Sequence, residues 1–83
     1  MAVAQSPGLT PAQVRDLAVT SVAQGRPDAA LVLAEALLER DADDVTALLI
    51  QARALRDLGR FEAAQQSAKA AWNRAESDAD RFA

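Results

Sequence analysis

Apolar side chains recur at three- and four-residue spacing in four stretches of this 83-residue chain, the period of helices that bury one face. The first set is Val14, Leu17, Ala18, Ser21 and Val22, which predicts a helix over 11–24. The second runs through Ala30, Leu31, Ala34, Leu37 and Leu38 and predicts 27–40. Here Val32 and Leu33 add apolar residues to the face that ought to be wet. A helix apolar nearly all round is covered on more than one side, so this one is expected to be central or masked by another chain. The third set, Leu48, Leu49, Ile50, Ala52, Leu55 and Leu58, predicts 45–58. The fourth predicts 61–75, with Phe61, Ala64, Ala68, Ala71 and Trp72 inside and Gln65, Gln66 and Ser67 outside.

Punctuation between the stretches agrees with their periodicity. Thr10-Pro11-Ala12-Gln13 is a helix start, with a capping threonine, a proline at the first helical position and a glutamine placed to complete a capping box. Gly25-Arg26 and Gly59-Arg60 stop the first and third helices, because glycine supplies the left-handed geometry of a helix end. Pro27 opens the second helix, where its missing N–H costs nothing. Asp41-Ala42-Asp43-Asp44 is a polar turn ending on a capping aspartate. Ser77 or Asp78 is placed to cap a further element, and Phe82 falls where a fifth helix would carry its first large apolar residue. Residues 1–10 show no period and read as a flexible lead-in.

The strongest organising signal is internal. Gly25-Arg26-Pro27-Asp28-Ala29-Ala30 returns 34 residues later as Gly59-Arg60-Phe61-Glu62-Ala63-Ala64. That period divides the chain into repeat one, 11–44, and repeat two, 45–78, leaving 79–83 as a tail or the start of a third helix pair. Period and small-residue pattern resemble the tetratricopeptide repeat, whose pattern is Trp-x2-Leu-Gly-x2-Tyr, Ala-x3-Phe and a final Pro. The corresponding places hold Val14, Leu17, Ala18, Ser21, Ala30, Ala34 and Ala42, then Leu48, Gln51, Ala52, Leu55, Ala64, Ala68 and Glu76. Gln51 stands where leucine is usual, and neither copy has the final proline. The resemblance implies an all-α fold of two stacked antiparallel helix–turn–helix hairpins, a fragment of a right-handed superhelix. A plain four-helix bundle shares the alternation of helices and short turns but does not account for the repeated block.

Composition removes most chemistry. There is no cysteine, histidine or tyrosine, so thiol catalysis, disulfides and the commonest acid–base group and transition-metal ligand are excluded. The serines have no histidine to activate them, and there is no Gly-rich phosphate loop. Asp41, Asp43 and Asp44 lack the glycine and glutamate that a calcium loop needs, since Thr46 and Ala52 stand in those places. No catalytic residue, cofactor or metal is expected. A net charge of −3 with interspersed signs argues against nucleic acid, and so against a DNA-binding helix-turn-helix built on Arg53, Arg56 and Arg60. No apolar run spans a membrane, and a cytoplasmic location is the default.

The remaining class is a protein-interaction module, an adaptor. The resemblance implies binding on the wall built from the first helix of each pair, which picks out Arg15, Val19, Val22, Leu49, Ile50, Arg53 and Arg56 as a groove with an apolar floor and arginines. Such a groove suits an amphipathic or acidic peptide, aliphatic side chains burying its anchors and guanidinium forks taking its carboxylates. The blander alternative pairs Arg53 and Arg56 with Asp57 or Glu62 on the surface. Trp72 reads as filler for an alanine-rich core, or else as an anchor on the open end of the array. Two repeats bury little surface, so the chain is expected to form a homo-oligomer, most simply a two-fold dimer, with Val32, Leu33, Trp72 and Phe82 as interface candidates.

Overall fold

The computed structural model describes residues 8–82, with side chains up to Ala79. Four helices follow one another: α1 (Pro11–Ala23), α2 (Pro27–Arg40), α3 (Val45–Asp57) and α4 (Phe61–Phe82). The lead-in at 1–7 and the side chain of Phe82 lie outside the described residues.

Local chemistry sets the ends of the helices. The Thr10 hydroxyl accepts the Gln13 N–H at 3.1 Å while the Gln13 side chain accepts the Thr10 N–H at 2.9 Å. This reciprocal box satisfies two orphan donors of α1. Asp44 caps α3 by accepting the Ala47 N–H at 3.0 Å. The two glycine turns are the same device used twice. Gly25 has φ 74° and Gly59 φ 81°, and the amides of Arg26 and Arg60 return to the carbonyls of Ser21 and Leu55, both at 2.8 Å. This reach back across the last turn is the hydrogen bond of a left-handed helix stop.

α1 packs on α2, α2 on α3 and α3 on α4, while α1 also meets α3. First helix thus stacks on first helix, as in a repeat array rather than a closed bundle. The core cluster is Ala18, Ala30, Leu31, Ala34, Ile50, Ala54, Leu55 and Ala64. Ala18 and Ala30, and 34 residues on Ala52 and Ala64, occupy the crossing of each hairpin, and among them Ala18, Ala30 and Ala64 are buried. Small side chains there let the backbones approach closely, so alanine is the fit rather than a deficit.

Three expectations are corrected. α4 does not end at Ala75 but runs unbroken through Ser77 and Asp78 to Phe82, because no glycine or proline interrupts 61–82. Its buried face is Ala64, Ser67 and Ala71, whereas Phe61, Gln65, Ala68 and Trp72 are exposed. Trp72, 66% exposed, is not core filler. Nor is α2 apolar all round. Val32 is 65% exposed and shares its face with exposed Asp28, Glu35 and Glu39, while Leu33 packs half-buried against the core.

Gln51, the misfit of the second repeat, has a local answer. Its Oε1 accepts the Ser67 hydroxyl at 2.8 Å between α3 and α4. The same two places in the first repeat hold Leu17 and Leu33. One hairpin therefore carries an apolar pair where the other carries a satisfied polar pair, and each member would be costly to bury without its mate.

Candidate functional site

α1 and α3 run side by side, and helical spacing sets out their facing side chains: Val19, Val22 and Ala23 from α1, then Thr46, Leu49, Ile50 and Arg53 from α3. These seven residues line an open recess of about 450 Å³. Its floor is aliphatic. Ile50 is buried beneath it, while Val19 and Leu49 stay 51% and 53% exposed on its walls. Arg53 stands at one end, exposed, with no ion-pair partner among the described residues. A second recess of about 400 Å³ continues from it between α3 and α4, sharing Leu49 and Arg53 and adding Ala52, Arg56, Phe61, Ala64, Gln65 and Ala68.

Five of the seven residues expected in the groove therefore meet round one recess, and Arg15 and Arg56 lie apart from it. Arg15 is part-buried and donates to Asp44 Oδ2 at 2.8 Å, so its guanidinium ties α1 to the start of α3. Arg56 lies in the second recess and faces Asp57 at 3.7 Å, an exposed pair of little energetic weight. Ala23 and Thr46 were not singled out from sequence. Their signal was the helical spacing itself, since 22–23 follow 19 and 46 precedes 49–50 and 53 at three- and four-residue steps.

Around Asp44 the electrostatics are defined. Partial burial works to raise the pKa of its carboxyl. The Ala47 N–H, the hydrogen bond and charge of Arg15, and the Thr46 N–H together outweigh that effect and hold it below the ordinary value. The neighbouring aspartates are also occupied. Asp41 Oδ1 accepts the Asp43 N–H, and Asp43 receives the Arg74 guanidinium.

Chemically, the recess offers dispersion contacts and one cation. Among the described residues there is no cluster of metal-ligating side chains and no helix long and apolar enough to cross a membrane. Val32 and Leu33 lie on α2, away from the recess, and Trp72 on the outer side of α4.

Comparison with curated proteins and with solved structures returned no match. The sequence profile of the tetratricopeptide repeat matches residues 21–83, most of both hairpins. Together with the 34-residue repetition of the glycine turns and the stacking of first helix on first helix, this match shows that the chain belongs to the tetratricopeptide repeat family.

Proposed function

We propose that this chain is an adaptor that holds a partner peptide or helix in the recess between α1 and α3. Tetratricopeptide repeats generally mediate protein–protein interaction and are typically non-enzymatic. The observation that carries the finer reading is the pair of half-exposed aliphatic walls, Val19 and Leu49, facing each other over a recess with Arg53 at its end. Folding leaves these side chains half wet, so roughly half of the about 1.5–3 kcal/mol that full burial of each would give is still to be gained, and a partner's aliphatic anchors supply it. The matching ligand is an amphipathic segment with one or two aliphatic anchors and a carboxylate near their C- or N-terminal flank, taken by the Arg53 guanidinium. Neither the acidic balance nor the pairing of Arg15 and Arg56 with aspartates favours the DNA-binding reading.

Panning a random peptide library on the folded chain tests this reading. Selected peptides should share an aliphatic–acidic pattern and bind Leu49→Asp at least roughly tenfold more weakly. Arg53→Glu should weaken only those bearing the carboxylate. Peptides that bind both variants as well as they bind the parent would show that the recess is not the site.

A further inference from the structure

One side of α4 carries a second pattern, which begins at the recess between α3 and α4, where Phe61, Gln65 and Ala68 line it, and continues beyond it. Phe61, Gln65, Ala68, Trp72, Ala75 and Ala79 follow one another at alternating steps of four and three, the spacing of a heptad seam. All six are exposed, and Ser67 and Ala71, which pack inward, lie on the adjoining side, about 80–120° round the helix at 3.6 residues per turn. The seam also outruns the fold. α4 has 22 residues against 13 in α3, and Arg74 already pairs with Asp43 just ahead of the start of α3. The eight residues that follow Arg74 carry α4 about 12 Å further, at 1.5 Å per residue.

Internal symmetry identifies this side of α4 as a packing face. In the first hairpin the places 34 residues earlier are Leu31, Ala34 and Leu38, the first two buried and the third half-buried beneath α3. Their counterparts Gln65, Ala68 and Trp72 are uncovered.

Charge selects the occupant. Lys69 and Glu76 flank the seam on the same edge, one heptad apart. A parallel pair of α4 helices would leave the two copies' Lys69 and Glu76 on opposite flanks, facing Ala64 and Ala71 rather than a charge. An antiparallel pair with its two-fold axis near Asn73 instead sets Lys69 of each copy opposite Glu76 of the other. The same register lays each Trp72 over Ala75 of the second copy, with the two indoles side by side across the axis, and Ala68 over Ala79. Large meets small, and opposite charges meet twice.

We propose that a second copy of this chain covers the seam, α4 against α4, antiparallel in this register. Val32 and Leu33 take no part in the interface. The contact is a single helix pair, in the size class below about 1,200 Å² that gives weak, reversible association.

Sedimentation equilibrium at roughly 10–500 micromolar, the range suited to such a contact, should show mass rising from one copy towards two. Emission of Trp72, the chain's single tryptophan, should shift to the blue over the same range. Trp72→Glu should weaken association at least about tenfold. Lys69→Glu and Glu76→Lys should each weaken it several-fold, and the double reversal should restore it to within about twofold, because residues seven apart on one helix meet only across the axis. Circular dichroism confirms that each variant remains folded; all changes are at exposed positions. A monomer at the highest concentration, assembly beyond two copies, indifference to the single reversals, or failure of the double reversal to recover would each overturn the proposal.

Discussion

The two hairpins share a backbone plan and differ in what lies outside them. Small residues at the crossings (Ala18 and Ala30, Ala52 and Ala64) and the glycine turns are common to both. Yet Ala34 is fully buried and Ala68, at the same place in the second repeat, is exposed. The converse holds at the other end. Ala47, Ile50 and Ala54 of α3 are buried against the first hairpin, whereas their counterparts in α1 are Gln13, Asp16 and Thr20, all exposed. One end of the described stack is thus polar and the other apolar. In a repeat array each unit contacts only its neighbours, and a polar outer face is what a terminal unit needs for solubility. α1 has that face, and α4 does not.

The sharpest way to break this comparison is to place one charge at both equivalent positions. Ala34→Glu buries an unpaired carboxylate beneath α3 and should cost at least about 4 kcal/mol, enough to unfold a domain this small. Ala68→Glu, measured by denaturant titration of the dilute chain, should stay within about 0.5 kcal/mol of the parent. Comparable losses at both sites would mean that the second hairpin is covered within the monomer.

The link between hairpins is tested at Asp44. Asp44→Ala removes the cap of α3 and strands the part-buried Arg15, with an expected loss of about 1–2 kcal/mol. Asp44→Asn keeps a capping side chain and removes only the charge. Because the folded-state pKa of Asp44 is lowered, its stabilisation is fully present above the unfolded carboxylate value of about 4 and is lost as pH falls through the lower folded value. Melting temperatures of the parent and Asp44→Asn should therefore differ most near neutrality and converge in acid. A gap that persists at the acid end would place the effect in packing rather than charge.

Gly25→Ala and Gly59→Ala test what the hairpins share. Space for a methyl exists at both, with nothing within 4 Å, so the cost is backbone strain alone, about 1–2 kcal/mol at each. Unequal losses would show that the turns are not equivalent. The smallest effect belongs to the pair Gln51 and Ser67. Gln51→Leu with Ser67→Leu gives the second hairpin the first one's side chains and should be neutral or stabilising by about 1 kcal/mol, while Ser67→Leu alone, which removes the partner of Gln51, should be the less stable.

That Val19, Val22, Leu49, Ile50 and Arg53 line one recess was legible because they fall at helical spacing on two helices of known order. The pairing of Arg15 was not legible because its partner Asp44 lies 29 residues away, a distance that periodicity does not bridge. On α4, residue type misled. Tryptophan and phenylalanine read as interior and serine as exterior, but the burial of Ser67 rests on a hydrogen bond to another helix, and the exposure of Trp72 rests on there being no described helix to cover it.

By itself the sequence determined the helix starts, the glycine stops and the 34-residue repetition, since each rests on hydrogen bonds and backbone geometry within a few residues of chain. Tertiary structure alone decided which side of α4 turns inward and which aspartate claims Arg15. Those outcomes depend on what lies across the gap between helices, and the energy of burying a side chain belongs to its neighbours as much as to itself.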